Sequence, residues 1–442
     1  PFLRRHMSTE EFAYPLTEKA DQLSEEVSAA NVERLPFKEL VKRIGPGIVL
    51  TGVVIGPGAI TTAAMIGADY GYSLVWLLIP IAFMGMTFLL TTYRISLLTG
   101  MPAIDAIIHY FGKGAGIFVG IAAFLACTFF TIGNISGTGA GMNLIFGIDW
   151  KFGALIMLCV LIYCYFSKNV YSKVEKGIMV CIFGMIIAFY ATLIGTGGPD
   201  WSSVGTGLVN WTFPQGSLAT ALAFISTNAS ILTGIYGTYL GNEKKWKKDD
   251  LFNGTMKADA VSHIIGVILI SGAIILVGAI VMHPTGETLT APAQLAAMLV
   301  PSMGGAARYI MGIALVGAGF SSLLGNTQRG LVLLYAGLQK ETRLESKPVQ
   351  WGCMIVLAFS TVVCFLYNGS PVQLIFFANV ATAIATPVAG LFIMLLLWKK
   401  DVNKGYKQPR ALQICMTISY LFCLIMTVSA LMNYIPKLFA SF

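Results

Sequence analysis

The sequence has little charge and little of the chemistry that enzymes use. Only 11% of its 442 residues are Asp, Glu, Lys or Arg, against about 25% in soluble domains. Its four histidines are scattered, and its eight cysteines lie in or beside apolar segments without the C-x-x-C spacing of a metal site. The cysteines are therefore interpreted as small packing residues. We find no nucleophile–base pair, metal cluster or cofactor loop, and so expect neither an enzyme nor a bound cofactor.

The sequence is instead rich in long apolar runs. Hydrophobic residues make up 56% of the chain, and the runs have the length of about 20 residues that a bilayer requires of a spanning helix. This pattern predicts an all-α polytopic membrane protein. The net charge of +8 falls largely in the loops, which is typical of cytoplasmic connections and gives no reason to expect a nucleic-acid partner.

Hydrophobic periodicity predicts eleven transmembrane helices. Their expected bounds are 44–68, 72–98, 114–146, 152–167, 174–196, 216–241, 256–282, 304–338, 350–367, 372–398 and 411–435. Glycine-rich stretches such as "GTGAGMN" (137–143) supply small residues for close helix packing. They do not resemble phosphate-binding loops, because no lysine follows and no strand precedes.

Lysine and arginine alternate along the connections between spans. The connections after spans 4, 6, 8 and 10 are basic, with Lys168, Lys244, Arg343 and Lys399 among their residues. Those after spans 1, 5, 7 and 9 contain no Lys or Arg. Basic loops stay in the cytoplasm, so the pattern predicts a cytoplasmic N-terminus and an external C-terminus in the plasma membrane. Residues 1–36 are expected to form a cytoplasmic tail, and 37–442 the transmembrane domain.

Two spans are interrupted. The stretch "GVVIGPGAITTA" (52–63) places Pro57 between Gly56 and Gly58 at the centre of span one. Span six has a cluster of polar residues at its middle, namely Ser226, Thr227, Asn228 and Ser230. Proline removes a backbone donor, and backbone groups freed in this way cannot face lipid, so such breaks line a cavity.

Interruptions five spans apart are typical of two inverted five-helix repeats with the substrate between the breaks. The expected repeats are about 44–196 and 216–398, followed by an extra helix at 411–435.

The first two spans strongly resemble the Nramp family of proton-coupled Mn²⁺ and Fe²⁺ transporters. Gly45-Pro46-Gly47, the x-Pro57-Gly58-x element that begins after eight intervening residues, Gly67 and "YGYSLVW" (70–76) match the family's opening motif without a gap. "MNLIFGI" (142–148), "AGFSSLLGNTQRG" (318–330) and "ANVATAIATP" (378–387) are similar to parts of its third, eighth and tenth helices. The resemblance implies the leucine-transporter-like fold and transport by alternating access.

The departures from the family pattern fall on its functional residues. The metal-binding Asp-Pro-Gly-Asn of the family becomes Gly56-Pro57-Gly58-Ala59, and its Ala-x-x-Met aligns with 227–230. The Asp and Glu of the family's proton route align with Thr131 and Asn134. By this alignment, the candidate metal-site residues are Gly56, Ala59, Thr227, Asn228, Ser230 and Asn379.

These losses leave carbonyl, hydroxyl and amide oxygens in place of thioether, nitrogen and carboxylate ligands. Softer ligands favour Mn²⁺ and Fe²⁺, whereas Mg²⁺ prefers oxygen and gives up its water reluctantly. The pattern is similar to the Nramp-related magnesium transporters. It predicts uptake of partly hydrated Mg²⁺, with Mn²⁺ tolerated, as transported substrate, by a monomer without proton coupling.

Other interpretations remain open. The glycines at 56 and 58 also suit a simple kink, and the polar residues of spans six and ten also suit helix packing. Asp259 and His263 share a helix face and are either a proton-carrying pair or a structural one. The site equally suits a carrier of a neutral or zwitterionic organic solute such as an amino acid. A non-transporting receptor with the same fold is the third possibility.

Overall fold

A computed structural model describes residues 32–166, 183–344 and 346–439. Among these residues the regular structure is helical, without strands. The first eleven helices are α1 Phe37–Arg43, α2 Pro46–Val54, α3 Pro57–Tyr70, α4 Leu78–Thr99, α5 Ala103–Phe111, α6 Lys113–Phe146, α7 Trp150–Phe166, α8 Phe183–Gly195, α9 Trp201–Val209, α10 Leu218–Asn228 and α11 Ile231–Glu243. The remaining helices are α12 Thr255–Val281, α13 Pro292–Ala297, α14 Val300–Met303, α15 Ala307–Gly337, α16 Lys347–Leu366, α17 Pro371–Thr382, α18 Ala385–Trp398 and α19 Arg410–Phe439.

Within these ranges, eight helical segments are long and apolar enough to cross a bilayer. They are Val75–Thr99, Lys113–Phe146, Leu218–Asn242, Thr255–Thr285, Val300–Gly337, Lys347–Leu366, Pro371–Trp398 and Arg410–Ser429. The bent pair α2 and α3 forms a ninth span. Two shorter apolar helices, α7 and α8, correspond to the predicted spans four and five. Each of the eleven predicted spans thus coincides with an apolar helix among the described residues, and nine of them are long enough to cross a bilayer. The end predicted at 167 and the start predicted at 174 lie outside the described residues, as does most of the expected tail 1–36.

The break in span one is sharp. Helix α2 ends at Val54 and α3 begins at Pro57, and the two axes differ by 63°. Proline has no N–H to donate to the preceding turn and is well suited to the first position of a new helix. A Cβ on Gly137 of α6 would lie only 2.1 Å from the Pro57 Cβ, so a glycine in α6 is required for the break to pack there.

The break in span six is gentler. Helix α10 ends at Asn228, and Ala229 and Ser230 leave helical angles (φ −134°, ψ 59° and φ −89°, ψ 133°) before α11 begins. The Ser230 hydroxyl accepts a hydrogen bond from the Leu232 amide, which caps α11. The bend is less than the 63° of span one, because no proline separates the two halves.

Helices α6 and α15 pack with their backbones in contact near both ends. A Cβ on Gly337 would lie 2.5 Å from the Gly116 carbonyl oxygen, and a Cβ on Gly141 would lie 2.6 Å from the Gly312 carbonyl oxygen. Any larger residue at these positions would overlap backbone atoms. The small residues predicted from the sequence to favour close packing therefore fix this antiparallel pair at the centre of the bundle.

The start of α2 is held by α12. The Asp259 carboxylate accepts hydrogen bonds from the amides of Gly45 and Gly47 and from the Tyr93 hydroxyl, at 2.9 to 3.0 Å. His263 Nδ1 lies 2.9 Å from Thr51 Oγ1. Both residues thus face α2, and these contacts favour the structural interpretation of the Asp259 and His263 pair.

Candidate functional site

Polar side chains from three helices meet the backbone of the first break. A Cβ on Gly56 would lie 2.8 Å from Asn134 Oδ1 of α6 and 2.5 Å from Ser322 Oγ of α15. A Cβ on Gly58 would lie 2.7 Å from Asn379 Oδ1 of α17. The two glycines therefore do more than bend the chain, because they let amide and hydroxyl groups reach the break itself. We call Asn134, Ser322 and Asn379 the amide cluster.

Two members of the amide cluster have unpaired polar atoms. Both amide atoms of Asn134 and the Nδ2 atom of Asn379 are buried without a hydrogen-bond partner in the described structure. Leaving a buried polar atom unpaired costs about 1–3 kcal/mol, so unpaired groups in a native fold call for an explanation. A transported ligand or its hydration water would satisfy them.

Asn379 links the two breaks. Its side chain packs against Gly58. Its backbone carbonyl oxygen accepts hydrogen bonds from Ser226 Oγ of α10 at 2.8 Å and from Thr382 Oγ1 at 2.7 Å. The structure thus brings the predicted residues Gly56 and Asn379 to the same region. Ala59 is buried in the first turn of α3 and contributes no polar side chain.

The polar residues predicted in span six divide into two groups. Asn228 donates from Nδ2 to the Phe224 carbonyl and accepts from Ser271 Oγ of α12, so its side chain joins two helices. Thr227 donates to the Ala223 and Phe224 carbonyls of its own helix, yet it lines the central cavity together with Ser230. Among Asn228, Thr227 and Ser230, Asn228 is the residue whose side-chain hydrogen bonds are already used to hold α10 against α12.

The central cavity lies between the two breaks. It is lined by Val53, Val54, Ala126, Phe130, Ser226, Thr227, Ser230, Leu232, Arg329 and Thr382. Its volume is about 10 Å³, which is room for one water molecule. The conformation is therefore almost closed around the site, and a larger ligand requires the walls to separate.

Arg329 of α15 is the cavity residue that the sequence analysis missed. It is 5% exposed, and its Nε donates to Cys127 Sγ at 3.3 Å. The ion pairs among the described residues are Arg43–Asp250 and Arg343–Glu341, so Arg329 has no carboxylate partner there. A signal was present in the sequence, since Arg329 is a charged residue in the interior of a largely apolar span.

The site is otherwise neutral. No acidic residue of the described ranges lines the cavity. In the described parts of the chain, no group of three or more His, Cys, Asp or Glu side chains is placed to hold a metal ion. Thr131, aligned with the family's proton route, donates to the Cys127 carbonyl and is fully buried. Any cation bound at the breaks must therefore be held by hydroxyl, amide and backbone oxygens.

The fold is shared with known transporters. The divalent metal cation transporter MntH of Listeria welshimeri is 22% identical over 422 residues, covering 91% of this chain and 92% of that protein. A manganese transporter structure from Eremococcus coleocola superposes with a TM-score of 0.72 at 16% identity, covering 93% of this chain and 92% of that one. The structure of MhsT in complex with L-phenylalanine matches with a TM-score of 0.57 at 16% identity, covering 87% of this chain and 98% of that one.

These likenesses bear out the expected leucine-transporter-like arrangement of helices. The family described as natural resistance-associated macrophage protein-like matches residues 47–433, nearly the whole transmembrane part. The chain therefore belongs to the Nramp family of membrane transport proteins.

Proposed function

We propose that this Nramp-family chain transports divalent metal cations across a cell membrane by alternating access. The observation that carries the proposal is the unpaired, buried amide of Asn134 beside the bare backbone of Gly56. Amide oxygens are ligands of hard divalent cations, and a site between two broken helices is where secondary transporters bind their substrates. Relatives named as divalent metal cation transporters and a manganese transporter of the same fold support it.

The proposed substrate is Mg²⁺, with Mn²⁺ tolerated. Ser230 provides no thioether, so the softer ligand that distinguishes Mn²⁺ and Fe²⁺ is missing, and Gly56 provides no carboxylate to compensate a fully dehydrated ion. Mg²⁺ usually keeps several of its waters when it binds to protein. A neutral, oxygen-lined site suits an ion that enters with part of its hydration shell.

We propose that transport is not coupled to protons. Thr131 and Asn134, where the family's proton route runs, carry no titratable group. A membrane potential that is negative inside supplies about 2.3 kcal/mol per charge per 100 mV, and roughly twice that for a divalent ion. That free energy is sufficient to drive uptake.

The proposed setting is the plasma membrane, with a monomer whose N-terminus is cytoplasmic and whose C-terminus is external. The division into a tail 1–36, repeats 44–196 and 216–398, and an extra helix 411–435 belongs to the same proposal. The alternating basic connections support the proposed orientation of the two termini. The variant Thr288→Cys should react with an impermeant maleimide added to intact cells, whereas Lys400→Cys should not. Labelling in the opposite sense would reverse the orientation.

The decisive experiment measures Mg²⁺ flux into proteoliposomes while internal pH is followed with a second dye. We expect Mg²⁺ influx driven by a negative internal potential, with no accompanying acidification and no effect of a proton uncoupler. Protein-free liposomes under the same potential are the control. A strict requirement for a proton gradient would refute uncoupled transport, and absence of flux for both Mg²⁺ and Mn²⁺ would refute the proposed function.

A second candidate function is the transport of a small organic solute. Arg329 favours it, because a fixed positive charge in the cavity opposes a divalent cation. Calorimetric titration of the purified protein with Mg²⁺ and with a panel of amino acids would separate the two candidates. Binding of amino acids without binding of Mg²⁺ would favour the organic solute.

A further inference from the structure

Arg329 places a positive charge at the wall of the central cavity, and none of the ion pairs among the described residues includes it. A guanidinium group has five N–H donors in a planar fork. One of these, on Nε, reaches the weak acceptor Cys127 Sγ. A buried charge without a partner is costly, and such groups are normally paired or hydrogen-bonded. The missing partner is therefore expected to come from a ligand.

A second part of the cavity wall also favours an anion. Helix α11 has 13 residues and begins at Ile231, and Ser230 and Leu232 at its start both line the cavity. The Leu232 and Thr233 amides already donate to Ser230, so the attraction for negative groups comes from the positive end of the helix dipole. Hydroxyl groups of Ser226, Thr227 and Thr382 complete the polar lining, which includes no acidic side chain from the part of the chain that the structure describes.

The remaining lining defines the ligand's size and charge. Val53, Val54, Ala126, Phe130 and Leu232 are apolar, and the closed cavity is narrow. A single guanidinium balances one negative charge and matches the two oxygens of a carboxylate, whereas a phosphate dianion would keep an unbalanced charge. We propose that Arg329 and the start of α11 bind the carboxylate of a small organic solute with a short apolar body.

This inference rests on the proposed transport function in one respect, which is that both use the central cavity. It does not require a bound metal. The anion site is distinct from the amide cluster, because neither Asn134 nor Asn379 lines the cavity beside Arg329. A bound carboxylate would cancel the guanidinium charge. It would thereby also reduce the repulsion felt by a divalent cation at the first break.

The test is binding of acetate, pyruvate and L-alanine to the purified full-length protein, followed by thermal unfolding at constant pH and ionic strength. Acetamide, the neutral counterpart of acetate, and sodium chloride are the ligand controls. We expect at least one carboxylate to raise the midpoint in a saturable manner, and acetamide and chloride to leave it unchanged. The variant Arg329→Gln should weaken that carboxylate at least tenfold, and Arg329→Lys should weaken it less.

The matched control is Arg94→Gln, which removes an arginine that donates to Asn403 Oδ1 and to the Lys407 carbonyl, away from the cavity lining. It should bind the carboxylate as the wild type does. Equal binding of acetate and acetamide, unchanged affinity in Arg329→Gln, or no carboxylate effect beyond chloride would each overturn the inference. If Arg329→Gln does not fold, the comparison of acetate with acetamide in the wild type decides the outcome.

Mg²⁺ flux measured without any carboxylate is a separate readout. Its failure would reject the proposed metal function and leave the carboxylate result standing.

Discussion

The Gly47 amide donates to both carboxylate oxygens of Asp259, at 3.0 and 2.9 Å. One carboxylate of α12 thereby caps the start of α2, a helix that has no side-chain cap of its own. The same carboxylate accepts from the Gly45 amide, so two of the unpaired donors at this helix end are satisfied by a neighbouring helix. The first half of span one is fixed to the bundle through this contact.

Replacing Asp259 should loosen the start of α2. The variants Asp259→Ala and Asp259→Asn should lower the thermal unfolding midpoint by several degrees, because hydrogen bonds to a charged group contribute about 1.5–3 kcal/mol each. Ser262→Ala is the control, since Ser262 bonds to a carbonyl of its own helix. A midpoint unchanged in both Asp259 variants would contradict the anchoring role.

Asn134 and Asn228 should behave in opposite ways. Asn134→Ala removes an amide with no internal partner, so stability should change little while Mg²⁺ affinity falls tenfold or more. Asn228→Ala breaks bonds to Phe224 and Ser271, so it should lower the unfolding midpoint more than it lowers affinity. Titration and thermal unfolding of both variants test this contrast. A larger loss of affinity in Asn228→Ala would show that the site is centred on span six.

Restoring the family's ligands should shift selectivity toward Mn²⁺. The change is Gly56→Asp, Ala59→Asn and Ser230→Met together, which provides carboxylate, amide and thioether groups. A Cβ at position 56 would overlap Ser322 Oγ and Cβ and Asn134 Oδ1, so Ser322→Gly must be included and the Asn134 side chain must turn aside. Uptake of Mn²⁺ relative to Mg²⁺ should rise at least tenfold over Ser322→Gly alone. An unchanged ratio would mean that the alignment places the site incorrectly.

Asp105 on the short helix α5 should make stability depend on pH. Burial raises the pKa of its carboxyl to about 6, and the hydrogen bond from the Tyr239 hydroxyl acts in the opposite direction. In the unfolded chain the carboxyl titrates near pH 3.9, so the folded state binds this proton more tightly. Its contribution, roughly 2 kcal/mol, is therefore present below about pH 4 and lost as the pH rises through about 6.

The variant Asp105→Asn resembles the protonated form, so its unfolding midpoint should depend less on pH between pH 4 and 7 than that of the wild type. Asp149→Asn, at an exposed position, is the matched control. An equal slope in wild type and Asp105→Asn would mean that this carboxyl does not titrate in that range.

Much of the fold was predictable because bilayer thickness limits the length of each span and proline breaks a helix. Pro57 predicts the 63° bend from local chemistry alone. The interruption after Asn228 has no proline, and it was inferred from polarity and from its distance from the first break. The spans thus follow from the length and composition of each segment.

The site was less predictable because it depends on which helices touch. Asn379 was placed by alignment, and its contact with Gly58 needed the packing of α17 against α3. Asn134 was only aligned with the family's proton route and was not among the predicted site residues, since nothing local shows that its amide has no partner. Whether Arg329 would face lipid, another helix or the cavity is decided by the orientation of α15, which one sequence does not fix.

The glycine contacts between α6 and α15 have a consequence for motion. A carbonyl of one helix contacts a glycine of the other near both ends, and this contact blocks sliding of one helix along the other. We therefore expect the pair to move as one rigid unit. Asn134, Ser322 and Arg329 all belong to this pair of helices, whereas Gly56, Thr227 and Ser230 belong to the interrupted spans. The ligand is therefore expected to rest against a stationary wall, while the hinged half-helices on the other side swing to release it.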